Sequence, residues 1–281
     1  MNNLGFHCQK LGHLEERLLA NGLRRGEFYN FPPEQLPLLK KGIALSQVTA
    51  SIHCPLEQLS WYPDPPTWAF LCDLSRERRE LNIRMVEVTL QRAGEVGAEY
   101  VVAHFPSPAS DAPGASYSQL RPIALDSCHR LALLSERYRV PIHLEGFGPT
   151  PLLNQDFLIE VFTHFPNLKY CFDTGHMGLA ARRDGLNIYR FAERLAPYVS
   201  SIHLWNTRGL EDYFTFRHIP VHPAQRPEAG WVDIERLLRL IRKQSPACPI
   251  VFESMHRYPL ALGDYDYRDG VRWIKDLVTS F

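Results

Sequence analysis

Seven short apolar runs in this sequence end on a histidine or a carboxylate, and an amphipathic stretch follows most of them. QVTASIH closes at His53, YVVAH at His104, VPIHLE at Glu145, LKYCFD at Asp173, VSSIH at His203, FRHI at His218 and PIVFE at Glu253. Strands that alternate with helices build a parallel sheet. When such a sheet closes into an α/β barrel, the C-terminal strand ends converge on one mouth. Residues spread over 200 positions then become neighbours, and three carboxylates with four imidazoles gathered at one mouth suit a divalent metal rather than an apolar core.

The pattern reads as eight βα units. Strands are expected at 4–7, 26–30, 47–53, 100–104, 141–145, 168–173, 199–203 and 249–253. Helices are expected from about Leu14 to Asn21 with Gly22 as C-cap, over 33–41, from Ser75 to Gly97, over 118–139, 155–165, 188–195 and 233–243, and from about Tyr267 to Val278. The Pro- and Trp-rich segment CPLEQLSWYPDPPTW is too long for a connector, and loops of that length usually form lids or pocket walls. A second long loop follows the seventh strand. Without a linker or a low-complexity stretch, residues 1–281 are expected to form one α/β domain, a single (β/α)8 TIM barrel.

Composition narrows the partners. Lys and Arg total 31 and so do Asp and Glu, so no overall positive field draws the protein to nucleic acid or to an acidic membrane. The start, MNNLGFHCQKLGHLEERL, lacks the basic cap and apolar core of a signal peptide, and no apolar run approaches the ~18 residues of a membrane span. The six cysteines form no CxxC pair and read as small buried hydrophobes in a reducing compartment, so the expected location is the cytoplasm. Glycine-rich dinucleotide or phosphate loops and a GxSxG nucleophile elbow are absent.

Glu145, Asp173, His203 and Glu253 end four consecutive strands in this reading, with the two glutamates on opposite sides of the mouth. Two Glu, one Asp and one His suit Mn²⁺, Mg²⁺, Co²⁺ or Zn²⁺. A carboxylate buried alone costs several kcal/mol or loses its charge, whereas a dication offsets a cluster of them.

The string FDTGHMGLAARRDG, together with SIHCP, VVAHFP, IHLEGF, SIHLWN, RHIPVH and VFES in that order, resembles the xylose isomerase-like barrel superfamily. That group includes sugar isomerases, sugar epimerases and endonuclease IV-type DNA-repair enzymes. The resemblance runs from Leu4 to the last helix and implies fold and metal site more strongly than substrate. It implies a single-metal quartet of Glu145, Asp173, His203 and Glu253, as in the epimerase branch. His176 matches a substrate-contacting histidine, and Arg208 resembles a substrate-hydroxyl arginine, although its spacing differs. His53 and His104 match positions that carry metal in the endonuclease branch and line the pocket in the sugar branch; His218 matches the last histidine of the endonuclease Asp-Arg-His motif. Here that motif reads Phe216-Arg217-His218, and phenylalanine cannot complete a third zinc site.

The expected function is therefore a metal-dependent isomerase or epimerase of a sugar or related small hydroxy-carbonyl compound. One divalent ion would act as Lewis acid on an enediolate, with Glu145 and Glu253 as the acid/base pair; a second or third ion is not favoured. His53, His104, His176, Arg208 and His218 are the expected substrate contacts, and Trp61, Trp68 and Trp205 the apolar walls. The alternatives are an abasic-site endonuclease with zinc and a metal-dependent dehydratase. The aromatic-rich stretch 205–216 reads equally as a lid or as a homo-oligomer interface.

Overall fold

Eight parallel strands hydrogen-bond to one another in chain order, and the eighth pairs with the first to close a barrel. The computed structural model describes residues 3–107 and 114–280. The strands are β1 (Leu4–Cys8), β2 (Arg25–Phe28), β3 (Thr49–His53), β4 (Val101–His104), β5 (Ile142–Glu145), β6 (Leu168–Asp173), β7 (Val199–Leu204) and β8 (Ile250–Phe252). Between β1 and β2 the chain makes only a π-type turn (Leu14–Leu18) and a 3-10 turn (Leu19–Asn21), ended by Gly22 at φ 62°. The remaining connections carry α1 (Leu36–Ser46), α2 (Arg76–Val96), α3 (Tyr117–Tyr138), α4 (Gln155–His164), α5 (Thr174–Asp184), α6 (Ile188–Leu195), α7 (Leu210–Phe216), α8 (Ile234–Arg242) and α9 (Tyr267–Thr279). Among the described residues no helix is long and apolar enough to cross a membrane.

Most helix boundaries follow local chemistry. Ser75 Oγ accepts the Arg78 amide at the start of α2, and Gly97, at φ 68°, stops it. Two helices lie where only connections are expected from the sequence. In α5, Asp173 is both the last residue of β6 and the N-cap, its Oδ1 accepting the His176 amide at 2.5 Å. The following Thr-Gly-His-Met-Gly has low helix propensity, so the helix depends on that cap and on packing. The aromatic stretch after β7 contributes α7, which ends at Arg217 with φ 60°. Consequently the run FRHI is not a strand. Beyond the turn at Arg217, Ile219 makes only an isolated bridge with Asn206, so His218 reaches the mouth from a loop.

Strand parity separates two interiors. Phe6, Phe28, Ile52, Val101, Leu144, Phe172, Ile202 and Phe252 all belong to the large apolar core against the helices. Their alternates point into the lumen, because successive side chains in a strand take opposite faces. There the chain puts Arg25, Glu27, Ser51, His143 and Ser201, with only a small apolar group of Tyr100, Val102 and Cys171. His143 lies on Tyr100 at 4.1 Å, with Nδ1 2.9 Å from Ser201 Oγ, and burial lowers its pKa to about 3. TIM-barrel lumens are usually filled by branched aliphatics. This one is polar, and the polarity increases toward the mouth.

A close approach anchors the mouth. A Cβ on Gly175 would lie 2.1 Å from the Trp205 ring, which is fully buried between α5 and the site. Gly175→Ala should therefore destabilise the protein by about 1–3 kcal/mol, the usual cost of overpacking, read as a lower urea midpoint. An unchanged midpoint would show that the ring moves aside freely.

Candidate metal centre

His203, at the end of β7, is the hub of the mouth. Its Nδ1 stands 3.2 Å from Glu145 Oε2 and 3.1 Å from Glu253 Oε2, while Nε2 lies 2.8 Å from Glu27 Oε1. Register explains the convergence: Asp173 pairs with His203 across β6 and β7, and Glu145 sits beside His104 across β4 and β5. Glu253 follows β8 directly, its amide donating to the Leu204 carbonyl. Glu145, Asp173, His203 and Glu253 each bring one ligand atom into a group whose members lie within 4.8 Å of one another. A second group of the same kind joins Glu145 to His53 and His104, whose Nε2 atoms each stand 3.5 Å from Glu145 Oε2.

The donor set fits a divalent cation. Both Glu145 oxygens, both His203 nitrogens and Glu253 Oε2 are buried without a hydrogen bond of acceptable geometry, despite their mutual distances. Orphaned buried polar atoms are rare and costly, and several converging on one point could hold an ion. Charge balance agrees. Burial, reinforced by Glu145 and Glu253, pushes the Asp173 carboxyl well above its usual range. Burial also disfavours ionised Glu145 and Glu253, but His203 with His104 in the first case, and His203 with His218 in the second, holds both well below. Without a cation the cluster cannot keep all its carboxylates charged.

The imidazoles around the quartet are oriented by their other nitrogen. His53 Nδ1 faces the Cys54 carbonyl at 3.1 Å and His104 Nδ1 the Thr67 carbonyl at 2.6 Å. A carbonyl accepts only from N–H, so a neutral ring turns its Nε2 lone pair toward Glu145. His218 Nδ1 is 2.8 Å from the Glu253 carbonyl, and its ring lies on Trp205 at 4.3 Å. His176 Nε2 comes within 3.8 Å of Glu145 Oε1. His7 also reaches the mouth, its Nδ1 3.8 Å from Glu253 Oε1.

Arg208 is not brought to the cluster. Asp212, in α7, captures its guanidinium at 2.7 and 2.8 Å and holds it over Trp231. The tryptophans also divide. Trp68 lines a cavity beside His176, whereas Trp61 packs on the outer core under the Arg84 guanidinium. Trp205 forms no wall of that cavity; its Nε1 donates to Asp173 Oδ2 at 2.8 Å, fixing one carboxylate of the quartet.

Glu27 is the residue that strand-end reasoning misses, because it lies inside β2 rather than at its end. It is fully buried, its Oε2 accepts from Ser51 Oγ at 3.3 Å, and its Oε1 faces the far nitrogen of His203. An acidic residue within a fully buried strand, in register with His7 and Ser51, is the feature that marks it. A carboxylate behind a ligating histidine fixes its tautomer and raises its basicity.

The family described as xylose isomerase-like TIM barrel matches residues 16–277, and the chain belongs to it. No curated protein matches the sequence. Solved structures share the fold at low identity. A D-tagatose 3-epimerase-like protein is 16% identical with a TM-score of 0.74, covering 99% of this chain and 97% of its own. An L-ribulose 3-epimerase is 14% identical with a TM-score of 0.72, covering 100% and 95%. A 3-keto-D-glucoside 4-epimerase from E. coli is 13% identical with a TM-score of 0.69, covering 98% and 100%.

Glu27→Gln removes the charge behind His203 while keeping the side-chain volume. Competition titration with Mn²⁺ or Zn²⁺ should show affinity reduced about ten- to hundredfold, with an unchanged circular dichroism spectrum. Wild-type affinity in that variant would reduce Glu27 to a packing residue.

Proposed function

We propose that this protein is a divalent-metal-dependent isomerase or epimerase acting on a sugar or a related small hydroxy-carbonyl compound. The observation that carries the reading is the approach of Glu145 and Glu253, from β5 and from the end of β8, to the same nitrogen of His203, with Asp173 completing the group. The sugar epimerases among the proteins of like fold support it.

In this reading Glu145, Asp173, His203 and Glu253 hold the ion. When bound, it supplies Lewis acidity at the substrate's carbonyl and hydroxyl oxygens. One of the two glutamates takes the proton from the carbon beside the carbonyl, and the other returns a proton to the opposite face or to the neighbouring carbon. Glu145, fully buried under His53, His104 and His176, is screened from water. Glu253 is held by β8 and by His218 on its carbonyl, so the two carboxylates stay fixed relative to one another. His176 and His218 present their rings beside the pair as contacts for substrate oxygens. The endonuclease alternative loses ground at Phe216, whose ring packs on Ile219, Trp231 and Tyr258 where that branch needs a ligating carboxylate.

Candidate keto sugars incubated with the protein in D₂O should gain deuterium at the carbon next to the carbonyl. The exchange should stop on chelation and return when metal is restored. Gln at either position 145 or 253 should abolish net conversion, and a single-face exchange remaining in one variant would assign each glutamate its face. A product lighter by one water, or hydrolysis, would overturn the assignment; an isomer formed with no label at that carbon would keep it but replace proton transfer by a hydride shift and demote both glutamates to ligands.

A further inference from the structure

Beside the metal cluster lies a cavity of about 330 Å³ whose chemistry is unlike that of the quartet. Among the described residues its walls include Trp68, Phe147, Pro149, Leu179, Leu210 and Phe214. Three of these, Trp68, Leu210 and Phe214, are large hydrophobic side chains left exposed, Phe214 at 67%. Exposed apolar side chains scattered singly need no explanation, but a group converging on one concavity marks a binding site. The polar side chains in the lining are few. Arg183 is one, and its guanidinium is already engaged by Asp184, with Nε at 2.7 Å. The inner end is His176, within 3.8 Å of Glu145. His176 therefore borders both the cavity and the cluster, and aromatic rings line the space between: Phe147 lies flat on His104 at 4.8 Å and edge-on to His176 at 4.8 Å.

A free sugar extending from the cluster into this space would find few polar partners for its hydroxyl groups, chiefly Ser107, Arg183 and Tyr213, against mostly apolar walls, and hydroxyls buried without partners are costly. A planar apolar ring would instead gain burial and edge or face contacts with the aromatic walls. We propose that the substrate carries such a ring beyond its reacting end, which makes it an aryl glycoside of a keto sugar rather than a free sugar. This rests on the functional reading above for the reacting end, and on the cavity for the remote end. A second copy of the chain would cover exposed apolar residues too, but its surface has no reason to follow a concavity down to a buried histidine of the site.

The test is a binding comparison that needs no turnover. Calorimetric titration of the Mn²⁺-supplemented protein with phenyl β-D-glucopyranoside and with methyl β-D-glucopyranoside isolates the remote group, because neither probe has the reactive carbonyl. The phenyl glycoside should bind about ten- to hundredfold tighter, the scale expected for burying one ring. The Leu210→Ser/Phe214→Ser double variant should lose most of that preference while Mn²⁺ affinity, the control for an intact fold, stays unchanged. Equal binding of the two glycosides, or a preference that survives the double variant, would overturn the proposal. So would concentration-dependent dimerisation that the double variant abolishes, since the patch would then be a subunit contact. If the preference is found but no keto glycoside exchanges its α-proton, the remote-group assignment stands and the isomerase reading fails.

Discussion

Everything at the mouth of this barrel follows from one imbalance: more buried carboxylate than the surrounding protein cations can neutralise. Glu27, Glu145 and Glu253 all press on His203, and Asp173 lies beside them. Such a cluster would expel its charge or its members if it had to exist alone. Instead it is held by the strand ladder, by Trp205 and the His176 amide on Asp173, and by backbone carbonyls that orient His53, His104 and His218. Polar groups clamped in this way are arranged before any ligand arrives, which is the condition for a site that loses little to reorganisation.

The same residues organise the approach to the cluster. His176 closes one side of the quartet and forms the inner end of the apolar cavity, so a single imidazole touches both regions. Alpha helix α7 forms the outer wall, and the Arg208–Asp212 pair braces it from its far side. The arginine expected at the substrate is here held by an acidic partner on α7. Spacing alone could not reveal this, because the partner that claims Arg208 sits one turn away on a helix the sequence gives little reason to expect.

How far the sequence reaches is instructive residue by residue. The barrel and its strand ends could be read because period-two burial and terminal polar residues leave a strong pattern, as in LKYCFD and VPIHLE. The strand at 168–173 matches β6 residue for residue. Helices whose existence depends on context could not be read: α5 needs the Asp173 cap despite its glycines, and α7 forms from an aromatic segment without helical periodicity. His218 imitates a strand end because FRHI is apolar enough, yet the turn at Arg217 prevents pairing. Glu27 escaped because it matters through what lies opposite it in the lumen, a relation set by strand register.

The separation of an apolar annulus from a polar lumen divides the chain's substitutions into two populations. Even-numbered residues of β1, β3 and β6, such as Phe6, Ile52 and Phe172, face the helices, and their odd-numbered neighbours His7, His53 and Asp173 face the mouth. A change of the first kind spends stability, altering how much folded protein persists at a given temperature. A change of the second kind acts on the charge and hydrogen-bond balance of the buried mouth, and so on what the molecule can recognise. The positions that pack the barrel against its helices and the positions that set the chemistry of its mouth are therefore alternate residues of the same strands.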